Sequence, residues 1–331
     1  MKYKPPFIIT NNILKLCQSI GKELGFLEGT KILTPSVQLR KDNQIKTIYS
    51  SLAIEGNSLS EELITQILEG KRVIAPENDI IEVQNALMVY KNLHQFNPLT
   101  QNSILEAHKI LMKSLIVENG VWRSSGVGII SKYGVSYIAP QAKMVPSLMN
   151  QLFDFLKHEV DLPWLIKACV FHYEIEFIHP FSDGNGRIGR LWQQLLLMKE
   201  HSIFEYLPIE SLIKQNQQEY YKTLSACDKQ GESTLFINFM LNIILKTLKE
   251  YSKNIVLPNS DHKSRLEYSY KLLKDKLFSR KDYILVHKDI STATASRDLK
   301  WGVENKILDM KGSNNQIKYI YQNKQVKKGR N

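Results

Sequence analysis

The residues most able to do chemistry in this chain lie within twelve positions, from His179 to Arg190. Gly184 and Gly186 flank Asn185, and the apolar run that follows predicts a helix. Glycine lets the backbone approach a ligand closely, and the start of a helix offers unpaired N–H groups with a partial positive charge. The segment therefore predicts an anion-binding loop that opens a helix.

Four side chains of this segment supply the groups that a displacement at phosphorus needs. Arg187 and Arg190 are three residues apart, so both project from one face of the predicted helix, where guanidinium groups can pair with phosphate oxygens. Asp183 is a carboxylate of the kind that holds Mg²⁺ beside phosphates. His179 has an ordinary pKa near neutrality, which suits a proton acceptor. Each residue alone is typical of a turn or a solvated surface, but together they indicate phosphorus chemistry.

This segment resembles the Fic family, whose motif is H-x-F-x-D/E-G-N-G-R-x-x-R. Every fixed position is met, by His179, Phe181, Asp183, Gly184, Asn185, Gly186, Arg187 and Arg190. The related death-on-curing toxins, which phosphorylate their targets, carry lysine where Gly186 stands. The resemblance therefore implies transfer of AMP from ATP to a Ser, Thr or Tyr hydroxyl of a target protein, with Mg²⁺ as cofactor.

The same resemblance implies a role for each residue of the motif. His179 would deprotonate the target hydroxyl, Asp183 would hold Mg²⁺, and Phe181 would anchor the loop. Arg190 would hold the γ-phosphate of ATP. The remaining phosphate oxygens would lie in a cradle of four residues: Gly184, Asn185, Gly186 and Arg187.

Other segments extend the resemblance. Trp122 and Arg123 precede a predicted β-hairpin around 127–140, similar to the family's flap, which pairs with a target segment as an added strand. Asn216 and Tyr220 resemble residues near the ribose and adenine, although a helix with aromatic spacing is usually core. A metal pair of His172 and His179 lacks a third ligand, which favours a packed helix histidine at position 172.

A second motif, around 50–57, ends a predicted helix. Ser51 and Glu55 are four residues apart on one helix face, and Gly56 supplies the C-terminal cap. In a Fic-like chain these three fit the inhibitory pattern S/T-x-x-x-E-G/N, in which the glutamate occupies the arginine that a γ-phosphate needs. We therefore expect the enzyme to be autoinhibited by Glu55 through Arg190, although an exposed helix end explains the same residues.

Composition and periodicity predict the fold class. The chain of 331 residues has 43% hydrophobic and 23% charged residues, as ordinary globular proteins do. Predicted helices dominate, among them helices over 209–228, 291–300 and 302–307, so we expect a mainly α protein, with turns at 132–134 and 311–315 and a linker at 257–261. The resemblance implies a Fic-type helical bundle with a small hairpin flap. The order of helices followed by a hairpin after the linker predicts a C-terminal winged helix-turn-helix domain. The predicted boundaries are 1–95 for an N-terminal helical region with the inhibitory helix, 96–255 for the catalytic core and 262–331 for the winged helix.

The basic charge lies mostly at the C-terminal end. Residues 261–331 contain 17 Lys and Arg against 8 Asp and Glu, which leaves only +2 of the net +11 for the first 260 residues. Such asymmetry predicts contact with a polyanion, and DNA binding through residues 288–311 is one interpretation, with Lys288, Arg297, Lys300 and Lys311 on phosphates. Winged helices also dock proteins or form homodimers, and a solvated surface explains the charge as well.

No apolar run approaches the ~20 residues that cross a bilayer, and no secretory signal is visible, so no membrane partner is expected. Three widely spaced cysteines form neither a metal site nor a disulfide framework, which favours a cytoplasmic protein. The leading interpretation is an adenylyltransferase. The alternatives are a DNA-binding regulator whose nucleotide site acts as a sensor, and an activity that removes AMP from targets.

Overall fold

The protein forms two compact units, Met1–Lys249 and Glu250–Asn331. The computed structural model describes residues 4–29, 35, 37–129, 137–253, 261–273, 276–287, 290–312 and 317–322. The predicted regions 1–95 and 96–255 lie together in the first unit as far as Lys249. The predicted linker at 257–261 lies outside the described residues except for Asp261.

The first unit is built from helices, and the prediction of a mainly α protein is confirmed. Their bounds are α1 Asn11–Gly29, α2 Val37–Ile54, α3 Glu61–Leu68, α4 Glu77–Lys91, α5 Gln101–Leu111, α6 Val145–His158, α7 Trp164–Ile178, α8 Asn185–Glu200, α9 Ile209–Gln215, α10 Gln217–Gln230 and α11 Thr234–Ser252, whose end extends into the second unit. Three short 3₁₀ turns lie at Leu93–Gln95, Ala142–Met144 and Ser202–Tyr206.

Helices α7 and α8 form the centre of this unit. Most of α7 is buried from Leu165 to Ile175, and α8 is buried from Arg187 to Leu197. A helix that is buried on all sides must be surrounded by other elements, which explains why amphipathic helices such as α6 and α1 pack outside it. The loop between α7 and α8, which carries the motif, is therefore held at both ends by rigid core helices.

Two details of the first unit differ from or refine the prediction. The single helix expected over 209–228 is two helices, because the chain breaks at Asn216, whose side chain caps the carbonyl of Leu212 at 2.7 Å. The predicted hairpin exists as strands β1 (Gly128–Ile129) and β2 (Tyr137–Ile138), which pair antiparallel. The expected turn at Lys132 to Gly134 lies outside the described residues.

The second unit contains α12 His262–Leu273, α13 Arg280–Val286 and α14 Thr292–Glu304, followed by strands β3 Leu308–Lys311 and β4 Lys318–Tyr321. The strands pair antiparallel, with Leu308 opposite Tyr321. Separate helices expected over 291–300 and 302–307 are one helix, α14, and the turn predicted at 311–315 lies largely outside the described residues. A small core unites the elements: Leu266, Phe278, Tyr283, Ala295, Leu299, Leu308 and Tyr321.

None of the helices in the described residues combines the length and the apolar character that a membrane span requires.

Candidate active site

The motif loop begins where α7 ends. His179 caps α7 in the left-handed region, at φ 49°, and so turns the chain out of the helix. Phe181 is fully buried and stacks on the ring of His108 at 3.7 Å. Asn185 then closes the loop, because its side-chain oxygen accepts from Phe181 N–H and its amide donates to Phe181 C=O, both at 2.9 Å. The amide side chain is used within the loop, so its backbone N–H is what remains for a ligand.

The buried His108 of α5 supports the loop from below. Gly120 N–H donates to its Nδ1 at 2.9 Å, so Nδ1 is an acceptor and the proton lies on Nε2. Nε2–H donates to the carbonyl oxygen of Asp183, with 2.9 Å between Nε2 and the oxygen. Burial lowers the pKa of His108 to about 4, in keeping with a neutral ring that fixes the Asp183 backbone.

The ring of His179 is oriented as a proton acceptor requires. Its Nδ1 lies 3.4 Å from the carbonyl oxygen of Glu176. A carbonyl can only accept, so Nδ1 carries the proton and Nε2 carries the lone pair. Burial lowers the pKa of His179, and the nearby Arg123 lowers it further. The imidazole is therefore neutral, with a free base nitrogen, at physiological pH.

Arg123 ties the loop to the base of the hairpin. Its side chain is buried, with Nε donating to His179 O at 2.7 Å and Nη2 donating to Pro140 O at 2.6 Å, just after β2. Nη1 donates to Ser125 O at 2.8 Å, and the Arg123 backbone N–H donates to Pro180 O at 2.9 Å. One guanidinium thus holds the motif loop and the hairpin in a fixed relation.

We expect Arg123→Met to lower the free energy of unfolding by about 2–5 kcal/mol, because it leaves several buried carbonyls without donors. Methionine keeps the length of the side chain but has no N–H group. Chemical denaturation of the full chain measures the change. Arg72→Met, at an exposed arginine, serves as the matched control and should change stability little. Equal stability of the two variants would contradict the tie.

Arg187 and Arg190, the two motif arginines, are buried and already paired with carboxylates. Arg187 Nη1 donates to Glu82 Oε1 at 2.8 Å, and its Nη2 lies 3.3 Å from Asp183 Oδ2. Arg190 Nη2 donates to Glu55 Oε1 at 2.7 Å. Arg187 Nε and Arg190 Nη1 are buried without a hydrogen-bond partner. Because unsatisfied buried donors are costly, these two nitrogens mark the place where an acceptor such as a phosphate oxygen fits.

The motif that the sequence predicts to be inhibitory lies against Arg190. Ser51 accepts from Arg190 Nε through Oγ at 3.1 Å and from Nη2 through its carbonyl at 3.0 Å. Burial opposes the charge on Arg190, but Glu55 and other nearby groups outweigh it, so its pKa is raised. Gly56, at φ 101°, ends α2 as the sequence predicts, and a Cβ at Gly186 would collide with Glu55 Oε1. Glu55 thus lies directly over the loop backbone.

A metal ion at this site would rely on Asp183. The part of the chain described by the structure has no group of three His, Cys, Asp or Glu able to hold a metal by itself. The Asp183 carboxylate is 59% exposed and uses one oxygen on Gly184 N–H at 2.6 Å. Mg²⁺ commonly binds through one carboxylate plus substrate phosphates and waters, so the donor present fits that ion.

Two predicted nucleotide contacts lie away from the loop. Asn216 is at the junction of α9 and α10. Tyr220 is fully buried, and its hydroxyl lies 3.0 Å from both Glu176 Oε1 and His172 Nε2. His172 also contacts Gln193 at 2.6 Å, and burial lowers its pKa to about 3, as expected for a packed neutral histidine. A nucleotide contact by Asn216 or Tyr220 stays a prediction.

Sequence reasoning did not find several residues that complete the site. Glu82 pairs with Arg187 across 105 positions, and Asn57 contacts Glu82 at 2.8 Å. Gln217 of α10 donates to the Ile54 carbonyl at the end of α2, at 2.9 Å. No periodic signal marks these residues, since Glu82 and Gln217 lie in segments that read as solvated helix faces and Asn57 lies in the turn after α2.

The fold and the site define a class: a mainly helical protein whose buried helix begins at a glycine-flanked anion loop beside a base and two arginines. Residues 98–197 match the Fic/DOC family. A crystal structure of a Fic family protein from Desulfovibrio desulfuricans G20 is 34% identical, with a TM-score of 0.74, and the match covers 97% of this chain and 99% of that one. The chain belongs to the Fic family.

Curated relatives carry the name protein adenylyltransferase Fic. The Aedes aegypti relative is 31% identical over 227 residues, which is 64% of this chain but 42% of the relative, and the Nematostella vectensis relative is 27% identical with 51% of its length covered. The chain thus spans about half or less of the length of these curated relatives. A structure of Fic-1 from C. elegans, 24% identical with a TM-score of 0.61, shares the fold.

Proposed function

We propose that this chain is a protein adenylyltransferase that transfers AMP from ATP to a hydroxyl of a target protein. The observation that carries the proposal is the start of α8, where Arg187 and Arg190 each have a buried nitrogen without a hydrogen-bond partner. The first N–H groups of a helix also have no intrahelical partner. Two guanidinium groups and the backbone N–H groups at a helix start are hydrogen-bond donors that suit the phosphates of a nucleoside triphosphate. The names of the curated relatives point to the same reaction.

The proposed reaction is a displacement at the α-phosphorus. The target hydroxyl loses its proton to Nε2 of His179 while its oxygen bonds to the α-phosphorus. The bond between the α-phosphorus and the oxygen of the β-phosphate breaks, and pyrophosphate leaves. Gly184, Gly186 and Arg187 would hold the phosphates, with Arg190 on the γ-phosphate, so the protein contributes mainly position and charge.

Asp183 would hold Mg²⁺ together with phosphate oxygens. When bound, the ion neutralises charge that the nucleotide brings to the loop. Arg187 Nη2 lies 3.3 Å from Asp183 Oδ2, so the guanidinium holds the carboxylate at the loop.

The hairpin β1–β2 is the proposed docking edge for the target. A two-stranded hairpin leaves outer edges with backbone groups that an extended segment can pair with. Arg123 fixes the base of this hairpin relative to His179 through Pro140 O and His179 O. A target strand added there would bring its hydroxyl toward the base.

Glu55 is the proposed brake. Its carboxylate accepts a hydrogen bond from Arg190 Nη2 at 2.7 Å. The γ-phosphate would need the same guanidinium group. Nucleotide can then bind only with its phosphates misplaced, so the resting enzyme should transfer AMP weakly. Removal of AMP from a modified target would be a separate activity of the same glutamate. Release of AMP from a modified target incubated with the protein in the absence of ATP would reveal it.

Incubation of the full chain with α-labelled ATP and Mg²⁺ tests the proposed function. Label on protein, raised in Glu55→Gly, supports a transferase. Nucleotide binding without label, under conditions in which Glu55→Gly is folded, would instead support a sensor. Mass spectrometry of the labelled protein identifies the modified residue and the transferred group together.

The pH dependence of transfer follows from His179. Burial and Arg123 place its pKa below the ordinary 6.5, so the neutral base form predominates at pH 6.5 and above. We expect kcat/KM of Glu55→Gly, with a peptide or protein acceptor, to reach half of its maximum below pH 6.5 and to fall at more acid pH, where the imidazole takes a proton. A half-maximal rate at pH 7 or above would contradict the assignment.

A second function, DNA binding, is proposed for the C-terminal unit. Helices α12–α14 and the hairpin β3–β4 follow the element order of a winged helix-turn-helix. Helix α14 exposes Thr292, Ala293, Arg297 and Lys300, a small-residue start with basic side chains on one surface. Such a surface fits the phosphate backbone of a duplex.

Anisotropy of the full chain on duplex DNA at rising salt tests this function. Changing Arg297 and Lys300 to Ala should weaken binding and reduce the salt slope by about 1 for each phosphate that the protein no longer neutralises. Lys15→Ala with Lys22→Ala, at exposed positions of α1, is the matched control. No binding at low salt would leave docking of a protein, including a second copy of the chain, as the role of this unit.

A further inference from the structure

The turn that follows Glu55 is fastened to α4. The side-chain amide of Asn57 donates to Glu82 Oε2 at 2.8 Å and to the Asp79 carbonyl at 3.1 Å. Ser58 N–H donates to Asp79 Oδ2 at 3.0 Å, and the Ser58 hydroxyl donates to the same oxygen. The segment after Glu55 is thus bound to the first turns of α4 by four hydrogen bonds.

The attachment of Asn57 to α4 also fixes the position of Glu55, because the turn that contains both residues is rigid. Asn57 N–H donates to Leu52 O at 3.1 Å and Gly56 N–H donates to Ala53 O at 3.2 Å, which closes a Schellman-type cap on α2. Glu55 lies inside that cap, two residues before Asn57. A shift of Asn57 away from α4 therefore moves the Glu55 carboxylate relative to Arg190.

Glu82 joins the fastening to the catalytic loop. One of its oxygens accepts from Asn57, and the other accepts from Arg187 Nη1 at 2.8 Å. The side chain of Arg187 is 5% exposed and that of Glu82 is 19% exposed. The ion pair is therefore screened less by solvent than a surface pair and contributes more to stability. The same carboxylate contacts a phosphate-loop arginine and the inhibitory turn.

We propose that Asn57 and Glu82 form a latch that holds Glu55 on Arg190. Loss of the hydrogen bond between Asn57 and Glu82 frees the turn, so the Glu55 carboxylate can leave Arg190. The latch rests on the proposed function, since it regulates the same nucleotide site.

Substitution at Asn57 opens the latch without touching either motif arginine. Asn57→Asp replaces the donor with a carboxylate that faces Glu82 and Asp79. Asn57→Ala removes the donor and also the oxygen that accepts from Leu59 N–H at 3.1 Å. We expect Asn57→Asp to raise the initial rate of label transfer from α-labelled ATP by about tenfold, and Asn57→Ala by less. Asn102→Asp, at an exposed position in the first turn of α5, is the matched control.

Double variants separate the latch from a merely structural role. In the Glu55→Gly background there is no carboxylate to hold, so Asn57→Asp should give no further rise. A structural role would instead lower transfer in both backgrounds, and that result overturns the latch. A cooperative thermal unfolding transition shows that each variant is folded. If Asn57→Asp does not fold, the same comparison is made with Asn57→Ala.

The outcomes also distinguish the latch from the function on which it rests. Label on Glu55→Gly with no rise in either Asn57 variant refutes the latch alone. No label on folded Glu55→Gly refutes the transferase and the latch with it. A rise in Asn57→Asp that disappears in the Glu55→Gly background supports both.

Discussion

Replacing His179 by alanine should reduce AMP transfer by about 10²–10⁴-fold, the range that a positioned general base contributes. The reaction is best followed in the Glu55→Gly background, where the brake no longer hides the rate. His179 Nε2 carries the lone pair because Nδ1 faces the Glu176 carbonyl, so the substitution removes the one ring nitrogen that is ready to take a proton. The initial rate of label incorporation from α-labelled ATP measures the loss.

The loss at His179 should concern chemistry and not nucleotide binding. The ring makes no hydrogen bond to Arg187 or Arg190, and the loop backbone is held by Arg123 and His108. The dissociation constant for ATP should therefore stay nearly unchanged while the transfer rate falls. His158→Ala, at an exposed histidine of α6, is the matched control. Transfer within a few-fold of the parent would exclude His179 as the base.

The motif loop was predictable because its chemistry is local. From His179 to Arg190 every group lies in one tight loop or in the first two turns of α8, so residue type and spacing fix the geometry. Asn185 shows the limit of that reasoning. The resemblance implies that it belongs to a phosphate cradle, and because its side chain is used on both backbone groups of Phe181, only its backbone N–H remains for that role.

The supporting residues were not predictable, because their partners are distant in sequence. Arg123 reaches His179 across 56 positions, and Glu82 reaches Arg187 across 105. A single acid in the polar stretch of α4 has the same sequence signal whether it faces water or an arginine. Such pairings are set by how helices pack, and the periodicity of one helix carries no information on which polar residue its neighbour presents.

The helix pattern was predicted well where apolar periodicity decides, and poorly where a polar side chain ends a helix. The break at Asn216 replaces one expected helix by α9 and α10, since its amide caps the Leu212 carbonyl and ends the first of them. The opposite error occurs in α14, where the sequence predicts separate stretches over 291–300 and 302–307. The helix runs through the buried Gly302, whose lack of a side chain leaves room for Leu308 and Leu266.

The second large effect is expected for Glu55→Gly, which should raise transfer by about 10- to 100-fold. A hydrogen bond to a charged group contributes about 1.5–3 kcal/mol, and each 1.4 kcal/mol is about tenfold. The Glu55 side chain is 31% exposed, so solvent screening favours the lower end. The initial rate of label incorporation with α-labelled ATP and Mg²⁺ measures the rise, and Glu77→Gln, at an exposed acid of α4, is the control.

The rise requires that Arg190 stay in place once Glu55 is replaced, and Ser51 provides for that. Ser51 holds Arg190 Nε through Oγ and Nη2 through its carbonyl, so the substitution removes only the hydrogen bond to the Glu55 carboxylate. Arg190 then offers Nη1, already unpartnered, together with the vacated side of Nη2 to a γ-phosphate. Glu55→Gln keeps an acceptor but removes the charge, so its rate should lie between the parent and Glu55→Gly. Equal rates in all three proteins would mean that the carboxylate does not compete with phosphate for Arg190.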